Sequence, residues 1–280
     1  MRAAEDVSIP LAHGWLAAKC WGDPRRPPLL ALHGWLDNAG SFDLLAPRLA
    51  DAFRIVALDL GGHGRSSHRA PGAWYHYVDY FDDLHAAFAH FGWARASLLG
   101  HSLGGTLASL YAASYPERVD ALLLIEALGP LTHAPEDALA ELRRGLDERV
   151  AFASRRPLRV FPDLAAAIGV RRAANDLGEA AARALVERGV VAVEQGYTWS
   201  SDPRLTLSSP QRFTEAQVLA MLAAIRAPTT LVLAEPATRY LPRAMMDARA
   251  ARVAGIRVVR VAGPHHLHME NAPAVAAALV

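Results

Sequence analysis

Six short runs of apolar residues punctuate the chain, each closed by glycine or proline. They read PPLLALHGW (27–35), FRIVALDLGGHG (53–64), ASLLGHSLGG (96–105), DALLLIEALGP (120–130), TTLVLAEPA (229–237) and IRVVRVAGPHH (256–266). Unbroken stretches of Leu, Val and Ile suit strands buried on both faces of a parallel sheet. Helix-length amphipathic stretches lie between most of them: 74–91, carrying Trp74, Val78, Phe81, Leu84 and Phe88, and 103–114 directly after the third run. This alternation predicts an α/β fold, a mostly parallel central sheet flanked by helices.

The rhythm breaks between the fourth and fifth runs. Residues 131–225 hold no convincing strand, only helical patterns around 136–153, 162–174, 179–195 and 214–225. An all-helical insertion after a strand tip predicts a cap over the C-terminal edge of the sheet. The expected division is therefore core over 1–130, helical cap over 131–225 and core again over 226–280. Three arginine pairs in the insertion, Arg143-Arg144, Arg155-Arg156 and Arg171-Arg172, read as solvated helix faces, with a grip on an anionic substrate as the alternative.

Composition narrows the class without naming a chemistry. The chain has 280 residues, 52% hydrophobic and 20% charged, with a net charge of +1. That balance gives no support for a nucleic-acid or polybasic membrane surface. Cys20 is the lone cysteine, which excludes an internal disulfide and a cysteine-based structural zinc site. The opening MRAAEDVSIPLAHG lacks the apolar centre of a signal peptide, and no stretch reaches the ~18 apolar residues of a membrane span. A cytoplasmic protein is expected; oligomeric state is not legible.

The sharpest chemical signal is Gly100-His101-Ser102-Leu103-Gly104, a G-x-S-x-G pattern directly after a strand and before a helix. Glycines two residues either side let a strained turn form without side-chain clashes. The turn lifts Ser102 Oγ clear of the sheet, and the following helix aims its N-terminus at developing negative charge. Serine then needs a base and an oxyanion hole. The Leu32-His33-Gly34-Trp35 tip of the first run is expected to supply the Trp35 N–H, paired with that of Leu103. A base is expected from VAGPHHLHMENAP near the last strand, which offers His265, His266 and His268.

ALHGWLDNAGSF, LDLGGHGRSSH, LLGHSLGG, YPERVDALLLIE, SDPRLTLSSPQRFTEAQV and GPHHLHME together resemble the α/β-hydrolases, and more closely their serine hydrolase-like proteins. The resemblance spans residues 27 to about 275. It implies the α/β-hydrolase fold with a helical cap inserted after the sixth strand, a Ser–acid–His hydrolase, and no cofactor. Relatives put the base first in a Gly-His-x-x-His/Pro-x-Glu pattern, which falls on His265, with His266 as the alternative. Asp59 and His63, in Asp-Leu-Gly-Gly-His-Gly, are implied to be architectural.

The acid departs from the family. Relatives carry an aspartate after the fifth run, where this chain has Ala237. Glu126, 24 residues after Ser102 at the tip of the adjoining strand, is the expected substitute. Glu235, constrained by Pro236, and the lack of any acid are the alternatives. The expected function is a carboxylesterase with a Ser102–His265–Glu126 triad, acting on a small acyl substrate, with no metal and no nucleic-acid or membrane partner. A carbon–carbon bond hydrolase, an acyltransferase and a non-catalytic binding protein of the same fold compete with it.

Overall fold

All six apolar runs form strands of one sheet in the computed structural model, which describes residues 4–152 and 158–280. In chain order the strands are β1 (Glu5–Leu11), β2 (Gly14–Trp21), β3 (Pro28–Leu32), β4 (Arg54–Leu58), β5 (Ala96–His101), β6 (Val119–Ile125), β7 (Val160–Phe161), β8 (Val190–Val193), β9 (Gly196–Trp199), β10 (Thr229–Glu235) and β11 (Arg257–Ala262). The main sheet runs β1-β2-β4-β3-β5-β6-β10-β11; β1 and β2 are antiparallel to their neighbours and the other strands are parallel. The β1–β2 hairpin was not expected. Ile9 is the one fully buried residue of β1, so that edge strand carries no apolar run to read.

The helices are α1 (Ala46–Leu49), α2 (Asp79–His90), α3 (Leu103–Ser114), α4 (Ala138–Phe152), α5 (Leu164–Asn175), α6 (Glu179–Gly189), α7 (Glu215–Leu222), α8 (Arg243–Ala250), α9 (Leu267–Glu270) and α10 (Ala272–Leu279). Successive strand residues point to opposite faces, so each strand feeds two cores. Leu30, Leu32, Leu98 and Leu124 pack with α2, α3, α7 and α8. Leu29, Ala31, Leu99 and Ile125 pack with α1 and α10 on the other side. The stretch 74–78, expected to be helical, precedes α2: Asp79 turns its carboxylate back to accept the His76 N–H at 2.7 Å.

The insertion differs from an all-helical cap. β7, β9 and β8 form a small antiparallel sheet within it, and the helix expected over 179–195 stops at Gly189. Val190-Val191-Ala192-Val193 is rich in β-branched residues, and the turn into Gly196 folds it back on β9 as a hairpin. α5 and α6 share their own apolar cluster with Met269 of α9. By contrast, Val218 and Leu222 of α7 belong to the core beside α3. Arg155-Arg156 lies outside the described residues. No helix among the described residues is long and apolar enough to cross a membrane.

A buried ion pair ties the insertion to the sheet. Arg188 at the end of α6 donates Nε to both Asp59 oxygens, at 3.0 and 2.9 Å. The same carboxylate accepts the Ala39 N–H at 2.7 Å and the Arg65 N–H at 2.8 Å, which gives Asp59 an architectural task. Removing one partner of a buried pair strands the other charge, so Asp59→Asn is expected to cost about 3–5 kcal/mol. Urea denaturation of the variant against wild type measures it.

Candidate active site

β5 ends at His101 and α3 begins at Leu103, leaving Ser102 alone on the turn with φ 50° and ψ −113°. A left-handed serine is strained by roughly 1–2 kcal/mol. The neighbouring glycines make the turn possible. A Cβ on Gly104 would lie 1.9 Å from the Leu32 carbonyl oxygen, and one on Gly100 would lie 2.4 Å from that of Gly104. The Ser102 N–H donates to the Ile125 carbonyl at 3.0 Å, which ties the elbow to β6. Ser102 is partly exposed.

The tip of β3 touches the start of α3: the Gly104 N–H donates to the His33 carbonyl at 3.0 Å. His33 is locked beneath this contact. Its Nε2 accepts the Leu60 N–H at 3.0 Å, so its proton sits on Nδ1, which donates to the Gly34 carbonyl at 2.7 Å. Burial pushes His33 down to about 4, so the ring is neutral. The Trp35 and Leu103 amides follow directly from the two joined segments, and neither donates to another described backbone group. The Trp35 ring reaches the other way and donates Nε1 to the Leu205 carbonyl at 2.9 Å.

Glu126 follows β6 as Ser102 follows β5, also in the left-handed region at φ 53°. Its Oε2 lies 3.1 Å from His265 Nδ1. A carboxylate only accepts, so Nδ1 carries the proton and Nε2 is left as the basic atom. The Glu126 carboxylate is 2% exposed and takes two further bonds, from the Ala234 N–H at 2.6 Å and Thr238 Oγ1 at 3.1 Å. Both donors belong to the stretch where the family's aspartate is expected. That segment thus supplies donors to the Glu126 carboxylate. Glu235 points elsewhere, into an exposed pair with Arg243 at 2.5 Å. Burial pushes His265 below the usual imidazole range, against the upward pull of its Glu126 bond.

The other histidines of the last turn have separate partners. His266 Nε2 lies 3.2 Å from an Asp37 oxygen, and His268 Nε2 lies 2.7 Å from Ser41 Oγ. Arg171, expected on a solvated face, instead buries its guanidinium against Asp37, while Arg172 pairs with Glu179 as a surface residue would. Helix periodicity alone does not reveal that α5 presents one member of the pair to a buried carboxylate. Asp37, His101 and His266 bring their side-chain ligand atoms within 4.8 Å of one another. This cluster went unforeseen; the one signal for it was Asp37 in the His-Gly-Trp-x-Asp-Asn motif. A cavity of about 190 Å³ adjoins it, walled by Leu36, Asp37, Val170, Arg171, Leu185 and Trp199. Ser102, His265 and Glu126 do not line that cavity, which begins one residue past Trp35.

Comparison with known proteins gives a consistent picture. A family model described as the alpha/beta hydrolase fold matches residues 27–271. A serine hydrolase-like protein of Danio rerio is 32% identical, over 99% of this chain and 88% of that protein. A hypothetical protein from Pseudomonas aeruginosa PAO1, known as a crystal structure, is 41% identical with a TM-score of 0.92, over 98% of this chain and 97% of that one. The thioesterase domain from the curacin biosynthetic pathway is 29% identical with a TM-score of 0.86, over 99% and 98%.

The two candidate acids separate by mutation. Glu126→Gln is expected to lower kcat by about 10⁴-fold, the scale seen when a triad acid loses its charge. Glu235→Gln is expected to leave kcat within about twofold, because surface changes of this kind rarely propagate. Steady-state kinetics on a chromogenic ester tests both, and equal losses would remove Glu126 from the assignment.

Proposed function

The chain belongs to the α/β-hydrolase family, among its serine hydrolase-like proteins, and we propose that it cleaves a small carboxylic ester through Ser102, His265 and Glu126. One observation carries the reading: a buried carboxylate 3.1 Å from His265 Nδ1, on the strand tip beside a strained serine. His265 Nε2 takes the proton from Ser102 Oγ as that oxygen attacks the acyl carbonyl. Negative charge gathers on the carbonyl oxygen, where the Trp35 and Leu103 amides receive it. The imidazolium returns its proton to the departing alkoxide, and an acyl-enzyme on Ser102 remains. Water, deprotonated by the same His265, then releases the acid and restores the serine. Glu126 keeps the imidazole in the Nδ1–H tautomer and balances its charge in both steps.

The neutral imidazole this chemistry needs is favoured by burial. A thioester is a second acyl substrate for the same machinery, favoured by the likeness to the curacin thioesterase domain. The case for a non-catalytic binding protein rested on the alanine at position 237, and the Glu126 contact weakens that case.

A fluorophosphonate probe is expected to label wild type and not Ser102→Ala, with mass spectrometry assigning the adduct. Folded wild type that neither labels nor turns over p-nitrophenyl acetate would end the hydrolase reading. The pH profile carries a second expectation. Because His265 is held below the ordinary imidazole value, the acid limb of kcat/KM should lie below about 6.5. Glu126→Gln removes an upward pull on that group, so its acid limb should move lower still.

A further inference from the structure

Beneath the elbow lies a set of polar groups that the ester mechanism leaves unused. His101, the residue before the nucleophile, is fully buried, and its Nε2 lies 3.0 Å from the backbone carbonyl of His265. A carbonyl only accepts, so Nε2 carries the proton. The two rings sit 4.8 Å apart between centroids. One residue further on, His266 is held by Asp37, itself 2% exposed. Asp37 also takes the Arg171 guanidinium, and its Oδ2 lies 3.6 Å from His101 Nδ1. Burial would raise Asp37, but His266 and Arg171 outweigh it and hold the carboxyl well below its usual range.

We propose that His101 and Asp37 are positioning residues for the His265 base, bracing the backbone of its turn while Glu126 holds its ring. The proposal rests on the Ser102–His265–Glu126 reading. Its physical basis is that a ring tethered only at Nδ1 still moves with its Cα. The His101 bond to the His265 carbonyl and the Asp37 bond to the next side chain fix where that Cα sits. Displacements of about 1 Å at such a group cost on the order of 10² in rate. The same atoms have a spacing that would admit a divalent cation. Arg171 already supplies the positive charge at Asp37, and two further charges in a buried site would be poorly compensated. The brace needs no ion.

The test compares His101→Leu, His101→Gln and Asp37→Asn with wild type. Glutamine keeps an N–H donor close to the place of Nε2, and leucine removes it. His101→Leu is expected to lower kcat on p-nitrophenyl acetate by roughly 30–100-fold with KM within about threefold, and His101→Gln to recover most of that loss. Asp37→Asn is expected to lower kcat by about tenfold, and the Asp37→Asn/His101→Leu pair to fall short of the product of the two losses. A readout independent of turnover is the low-field NMR resonance of the proton between His265 and Glu126. It should persist in wild type and His101→Gln, and broaden or vanish in His101→Leu and Asp37→Asn. If His101→Leu does not fold, the contrast between His101→Gln and Asp37→Asn carries the same test.

Equal losses in His101→Leu and His101→Gln, or an unchanged resonance in folded His101→Leu and Asp37→Asn, would overturn the brace. Stoichiometric zinc binding by calorimetry, abolished in Asp37→Asn, would overturn it in favour of a metal site. Wild type that retains the resonance and the variant contrast but turns over no ester would leave the brace standing and sink the esterase reading instead.

Discussion

The site depends on parallel register at the ends of three neighbouring strands. His101 and Ile125 are the last partners of β5 and β6, and Ile125 pairs in turn with Val232 of β10. Ser102 and Glu126 are therefore the next residues on adjoining strands, and both turn away from the sheet with positive φ. Each is anchored by its own N–H, Ser102 to Ile125 and Glu126 to Val232. A slip of one residue between β5 and β6 would reverse the face each side chain meets and displace Ser102 from Glu126 and His265. The buried Leu, Val and Ile of these strands are what prevent it.

That register also explains how the acid can come from β6. A carboxylate this buried is costly unless hydrogen-bonded. Glu126 has three partners: His265, the Ala234 amide and Thr238. Two of them come from the end of β10 and the residues after it, so β10 supplies donors and β6 supplies charge.

Polar ties join the insertion to the segment that follows β3 and to the tip of β4. Arg171 meets Asp37, Asn38 Nδ2 donates to the Leu185 carbonyl at 2.8 Å, and Arg188 meets Asp59. The strap from Trp35 to Asn38 is therefore bounded by the nucleophile's helix on one side and by α5 and α6 on the other. The 190 Å³ cavity lies in that same seam, walled by residues of the strap and of the insertion.

Contiguous residues encode contiguous geometry, and that part was legible without coordinates. The six buried strands, the α3 helix and the strained turn at Ser102 follow from apolar runs and glycine spacing. The β1–β2 hairpin and the β8–β9 ribbon left little hydrophobic pattern to read, because β1 has one buried residue and β8 and β9 have none. What the sequence could only narrow were choices between residues far apart in the chain: Glu126 or Glu235, His265 or His266, Arg171 solvated or buried. Those are distances across strand tips and between layers, set by register and packing. No local pattern contains them, so only the tertiary structure decided that Glu126 meets His265 while Glu235 meets Arg243.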